Sequence, residues 1–355
     1  MSIVWRGAAT WARTVVSLAA LWAAHGAMAA LPLYRISVVP TEGDLASAEA
    51  INDQGVIVGT LHGDKARAFR WREGRAVEWA PLDDPRREQF AVSVDEQGAM
   101  SYWVQWPGNV WPGKFLRTEV WAKGTTPAKK LRGVFSYFGN TAGDLIVDGQ
   151  ERTYALRERD GTVTELGLAD DKVELNDLNN RQQVVGHRKS GRPVMWTRGA
   201  GFTDIPALPD EPQVSARAVN DRAEVALMTG PFDLSLNGPD NAPNAIYLWS
   251  VGNGVQSLGS SADCAWYQPI KLGAHGTVVG QCYAQPSPVS AQHAFAADAT
   301  HGVYLLESCV DPADPQAGRY DIWKAVGINQ SGQIAAEAYD RVQRVQKVIL
   351  LTPVR

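Results

Sequence analysis

The chain has 355 residues, 45% of them hydrophobic and 20% charged, with a formal net charge of −4. That apolar content excludes a disordered chain. The mildly acidic balance excludes general nucleic-acid binding, which needs a strong basic face; the densest basic stretches, Lys129-Lys130-Leu131-Arg132 and Arg341 to Lys347, are short and mixed.

In chain order, the first element reads as a secretory signal over residues 1–29. Arg6 and Arg13 give a positive start, Thr14 to Ala24 an uncharged apolar core, and Ala27-Met28-Ala29 a small-residue cleavage site. The core is too short to span a bilayer, and no later run reaches membrane length. Without the signal, 32 Lys and Arg face 38 Asp and Glu. The expected product is one domain over residues 30–355, exported to the periplasm or beyond, soluble and monomeric, with no membrane span and no nucleic-acid partner.

The next element, Tyr34-Arg-Ile-Ser-Val-Val39, reads as a strand. Ala50 to Gly59 (AINDQGVIVG) then sets a pattern that recurs, with its Asn position falling at 52, 95, 140, 179, 220, 273 and 329. A second mark follows in each unit: Ala68-Phe-Arg-Trp71, Glu119-Val-Trp121, Thr153 to Leu156, Val194-Met-Trp196, Ile246 to Trp249, Ala294-Phe-Ala296 and Val348 to Leu350. In most units a Gly-containing turn and a short apolar run come after it. Each unit therefore reads strand, turn, strand, loop, strand, turn, strand. No segment carries a long helical period. A period near forty residues with four strands per unit is the mark of propeller blades. The predicted fold is an all-β propeller of seven four-stranded blades. The last unit has only three strands, so the N-terminal strand is expected to supply its outer fourth and close the ring.

The pattern I-N-D-x-G-x-x-V-G followed by A-F-x-W, at Ile51 to Gly59 and Ala68 to Trp71, resembles the HAF-type repeat of exported bacterial proteins. The resemblance runs from Ala48 to Leu351, close in the first unit and looser elsewhere. Units two and three lack the full I-N-D, and the sixth has Gly273 for Asn. It implies an exported repeat protein and supplies no catalytic residue.

The repeated stretch is not a calcium loop. Asp53 becomes Glu96, Thr141, Asn180, Asp221, Ala274 and Gln330 in the other copies, and an ion needs its acidic oxygens at fixed positions. Asn followed by Gly makes a tight turn instead. Trp71, Trp121, Trp196 and Trp249 recur at one phase and read as packing between blades.

Strand parity places the first-to-second and third-to-fourth turns on one face. Second-to-third loops and blade connections fall on the other, which receives nearly all long insertions; loops on a rigid scaffold carry function. Its aromatic cluster, Trp103, Trp106, Trp111 and Phe115, suits glycan or protein contact, because such rings give rigid apolar area; capping a blade edge is the alternative. Asp233, Asp240, Asp263 and Trp266 complete the candidate ligand-binding set, and Asp311 and Asp314 share the face. Cys264 and Cys282 flank one hairpin and are the expected disulfide, leaving Cys309 free.

The sequence holds no nucleophile-elbow, zinc-helix, phosphate-loop or dinucleotide motif, and its histidines share no ligand spacing, so no metal or cofactor is expected. The expected function is a non-catalytic, exported binding scaffold for a glycan or protein ligand. The alternatives are a polysaccharide-acting glycosidase or lyase at the channel mouth and a structural envelope component.

Overall fold

Each repeat folds into a four-stranded antiparallel sheet, and seven such sheets stand in a ring. The computed structural model describes residues 30–41, 45–106, 115–122, 128–132, 134–149, 153–167, 173–206, 208, 211, 213–230, 244–285 and 291–354. The chain divides into units 1–31 and 32–355, and everything below concerns the second. The expected signal, residues 1–29, lies outside the described residues. Blades one to seven occupy 46–79, 88–132, 136–165, 173–204, 214–257, 266–305 and 320–353.

The first strand of each blade is innermost, and these strands touch one another around the central channel. The last blade is completed by the N-terminal strand Tyr34–Val38, which pairs antiparallel with Val345–Pro353 from Tyr34 opposite Pro353 to Val38 opposite Ile349. Its outer edge is covered as well. The Ile36 N–H donates to Asp314 Oδ2 at 2.9 Å, and the Asp311 N–H donates to the Tyr34 carbonyl at 2.8 Å. The connection between blades six and seven, which carries two candidate carboxylates, is therefore the clasp of the ring closure. An edge strand with satisfied N–H and C=O groups offers no template for stray pairing.

The apolar core lies between blades. Trp71, Trp121 and Trp196 are buried, and the Arg70 guanidinium of blade one lies 3.8 Å from the ring centre of Trp121 in blade two. The repeated tryptophans are inter-blade packing, as expected. Cys264 and Cys282 form a disulfide. Cys309 is free and buried, and its burial pushes the thiol up to about 11, so it stays protonated. Among the described residues no helix is long and apolar enough to cross a membrane.

One regularity has no local sequence mark. Every inner strand breaks register three residues before its turn residue, with the extra residue at 49, 92, 137, 176, 217, 270 and 326. A bulge bends the strand and re-aims one side chain. It also drives a carbonyl against the next strand: a Cβ at Gly59 would sit 2.2 Å from Ser47 O, and one at Gly186 2.0 Å from Glu174 O. The closing glycine of the motif is thus a close-approach residue where it occurs.

The other glycine position of the motif is left-handed in every blade: Gly55, Gly98, Gly143, Gly276 and Gly332 have φ between 74° and 95°, and Gln182 and Ala223 adopt 59° and 60° without being glycine. A side chain there costs about 1–2 kcal/mol. Glycine frees the unfolded chain by about 0.4–1 kcal/mol in return. Ala223→Gly is accordingly expected to raise the unfolding free energy by about 0.5–1 kcal/mol, read by urea denaturation; a loss of stability would contradict the strain assigned to this turn.

Candidate functional site

The short turns do more than reverse the chain. Asn52 Oδ1 accepts the N–H groups of Gln54 and Val56 at 3.1 and 2.9 Å, which fixes the turn. Its Nδ2 reaches sideways and donates to the Asp95 carbonyl of the next blade at 2.7 Å. The same bond runs from Asn140 to Asn179, Asn179 to Asn220, Asn220 to Gly273, and Asn329 back to Asn52, at 2.8–3.1 Å. Five of seven junctions thus carry one asparagine belt. The Asp95 side chain has no N–H to give, and there the Glu96 N–H donates to the Thr141 carbonyl at 2.7 Å instead. At Gly273 the place of a side chain is taken by Ile328, whose methyl lies 3.2 Å from where a Cβ would be.

A second set of links sits eight residues beyond the turn residue, on the second strand. Thr60 Oγ1 accepts the Ala91 N–H at 3.1 Å, Trp103 Nε1 donates to Ser136 O at 2.6 Å, His187 Nδ1 shares a hydrogen bond with Ser215 Oγ at 3.0 Å, and Glu337 Oε1 accepts the Ala48 N–H at 3.2 Å. These are four chemistries of one inter-blade peg. This matters for His187, because Glu174 lies 3.8 Å from its Nε2 and the trio imitates a nucleophile, base and acid. Ser215 is 0% exposed, so no substrate reaches its hydroxyl. Burial lowers the His187 pKa against the pull of Glu174, as suits a neutral ring in a peg.

The candidate residues of the long-loop face are scattered. Trp103 also stacks on Phe135 at 4.6 Å and belongs to the seam between blades two and three. Trp266 is 2% exposed and meets Tyr283 edge-on at 5.5 Å, in blade six. Asp263 is exposed, beside the disulfide. Trp106 is half-buried, with the Arg86 and Arg87 guanidiniums each 5.2 Å from its ring centre. Asp84 and Asp83 hold those arginines. Burial would raise the Asp83 pKa, but Lys130, Arg117 and Arg87 together hold it below the usual carboxylate range. Phe115 pairs with Gln105 through its backbone; its side chain, Trp111, Asp233 and Asp240 lie outside the described residues.

The concave site is on the other face. A cavity of about 250 Å³ opens among the turn tips Asp53, Thr141, Asn180 and Asp221 and runs down the channel past Glu49 and Asn176. Within it Lys271 Nζ of blade six meets Asp177 Oδ1 of blade four at 2.5 Å, passing in front of blade five. Glu49 has the Ser47 hydroxyl on Oε1 at 3.2 Å, and Ser47 in turn shares a hydrogen bond with His62 Nε2 at 3.0 Å. Glu49 is exposed along the channel although protein atoms crowd around its carboxyl. Desolvation, and then Glu337 against the opposing pull of Lys324, raises its pKa to about 7; solvent screens part of that shift. Among the described residues no cluster of three or more His, Cys, Asp or Glu could hold a metal ion.

No family model and no curated protein matches the chain. Solved structures with the same architecture do. Virginiamycin B lyase from Staphylococcus aureus aligns at TM-score 0.53 and 11% identity, covering 90% of this chain and all of the other. A streptogramin B lyase aligns at 0.54 and 10%, covering 91% and 98%. YCF48 bound to a D1 peptide aligns at 0.52 and 12%, covering 92% and 98%. At such identities the likeness shows the fold, a seven-bladed β-propeller, and nothing of the chemistry.

The belt and the channel carboxyl each give an expected outcome. Asn179→Asp keeps the oxygen that fixes the turn and removes the donor to Asn220, so it should cost about 1–3 kcal/mol in urea denaturation; a neutral result would remove the belt from the stabilising interactions. For Glu49 the folded pKa lies above the unfolded one, so the native state holds the proton more tightly between about pH 4.5 and 7 and loses stability as pH rises through that window. Glu49→Gln should melt higher than the parent chain at pH 8 and equal to it near pH 4; parallel melting curves at all pH values would refute the assignment.

Proposed function

We propose that the protein is an exported, non-catalytic interaction scaffold that takes a glycan or protein ligand on its long-loop face. The observation that carries this reading is the asymmetry between faces. The inner turns are held in one geometry by the asparagine belt, whereas the second-to-third connection grows from residues 189–192 in blade four to 230–245 in blade five. Long insertions gathered on one rim of a rigid disc are how scaffolds present binding loops. Trp106 under Arg86 and Arg87 supplies a half-buried ring and guanidinium donors, a combination that suits sugar hydroxyls and peptide carbonyls alike.

Export rests on the signal-like first 29 residues, on the HAF-type repeat pattern and on the Cys264–Cys282 disulfide, a bond that persists in oxidising compartments. The test is a glycan array together with a pull-down from extracellular and periplasmic extracts, using the chain without residues 1–29 and its Trp106→Ala, Trp111→Ala double variant. Binding that falls at least about tenfold in the variant, as for a 1.4 kcal/mol anchor, is the expected outcome. Equal capture by both proteins would remove the aromatic patch from the interface.

A further inference from the structure

The connection between blades one and two meets the strands of blade two in a cluster with more cations than carboxylates. Arg86 and Arg87 come from the connection, Arg117 from the third strand of blade two and Lys130 from its fourth. Asp83 Oδ2 alone accepts three cationic donors: Lys130 Nζ at 2.7 Å, Arg117 Nη2 at 2.9 Å and Arg87 Nη1 at 3.3 Å. Asp84 is taken by Arg86, whose Nε reaches Oδ1 at 3.0 Å and whose Nη2 reaches Oδ2 at 2.9 Å. Glu119 is buried and holds both Arg117 and the Tyr102 hydroxyl. Among the described residues these ion pairs set four cations, Arg86, Arg87, Arg117 and Lys130, against three carboxylates, Asp83, Asp84 and Glu119. The cluster is short of acceptors: Arg87 Nε is buried without a hydrogen-bond acceptor, with Asp84 Oδ2 3.6 Å away.

Ion pairs that serve stability alone need only one partner each, and exposed pairs contribute little. Here three cations crowd one carboxylate. Burial works the other way, yet Lys130, Arg117 and Arg87 hold the Asp83 carboxyl below its usual range, the mark of a locally positive field. A second oxyanion would relieve that field and accept from the donors left over. Those donors are already in place, since the Arg117 and Arg87 side chains are 9% and 19% exposed, so little ordering entropy remains to be lost on binding. The Trp106 ring stands beside two of them and adds an apolar surface to the oxyanion site.

We infer that the ligand of the long-loop face is an acidic glycan of the uronate class, its ring carboxylates received by Arg86, Arg87 and Lys130 beside Trp106. The inference deepens the scaffold reading above and rests on it. Preset donors next to an aromatic ring fit carboxylates carried on stiff sugar rings. An acidic peptide would have to freeze a rotamer-rich side chain for every carboxylate that it presents. Arg86, with 73% of its side chain exposed, and the partly exposed Lys130 are the groups open to such a ligand.

The experiment measures, by calorimetry, binding of the chain without residues 1–29 to oligogalacturonate and oligoglucuronate, each beside its carboxyl-reduced neutral counterpart, and to oligoglutamate. At least one uronate should bind about tenfold more tightly than its reduced counterpart and than oligoglutamate, with an affinity that falls between about 0.05 and 0.3 M salt. Arg86→Gln and Lys130→Gln should each weaken that binding about fivefold or more while folding as the parent does. Lys189→Gln, an exposed lysine in the second-to-third loop of blade four, should leave it unchanged. No binding of either uronate, equal or tighter binding of the reduced counterpart or of oligoglutamate, or full affinity retained in both cluster variants would each overturn the inference. The two readings fail separately. Trp106-dependent capture of a neutral glycan or of a protein keeps the scaffold and removes the uronate, whereas the absence of any Trp106-dependent ligand removes both.

Discussion

An amide nitrogen reaching one blade sideways is the interaction on which the rest of this ring depends. Each belt asparagine spends its oxygen on its own turn and its nitrogen on the next blade's carbonyl, as Asn179 does with Arg181, Gln183 and Asn220. Local geometry and ring geometry are therefore set by one side chain, and neither Asp nor Ser can do both. Asp95 shows the consequence: the turn persists, with the Ala99 N–H on its carboxylate at 2.7 Å, but the link to blade three passes to the backbone. The belt also explains why the turn face is uniform. Lengthening any inner turn would move an amide away from a carbonyl on each side.

What was legible in the sequence is what is local. Asn and Gly in a short stretch between apolar runs state a hairpin by themselves, and seven copies state a propeller. The ring closure was legible because a three-stranded last unit and an unassigned first strand are complementary, and the disulfide because Cys264 and Cys282 flank one hairpin. What was not legible lies between blades. The belt joins asparagines to carbonyls of the neighbouring blade, far away in the chain, and the bulge of the inner strands leaves no composition signal, since Glu49, Val92, Tyr137 and Ile270 occupy the same position. Trp103 read as a surface aromatic because its equivalents are Thr60, His187 and Glu337, a set with no common chemistry and one common place.

Insertion length proved an uneven guide. The connection between blades six and seven is long, yet Asp311 and Asp314 use it to seal the N-terminal strand. Asp314 Oδ1 takes the Gln316 N–H at 2.7 Å while Oδ2 takes that of Ile36, leaving little of that carboxylate for chemistry. At the insertion in blade five, Asn244 accepts the Tyr267 N–H on Oδ1 at 2.6 Å and donates from Nδ2 to the Tyr267 carbonyl at 2.8 Å, which ties the far stem of the loop to blade six.

The pairing of Tyr34 with Pro353 also sets an order of events in time. The outer strand of the last blade is made first, and its partner emerges more than three hundred residues later. At 5–20 residues per second the first strand waits on the order of 15–60 s for the chain that completes it. Until then the seventh sheet lacks an edge and the belt lacks its return bond from Asn329 to Asn52, so the ring is an open arc whose two ends are sticky. A molecule that crosses a membrane before it folds would meet this interval on the far side, with the whole chain already present, and closure would become a search between two ends instead of a wait for synthesis.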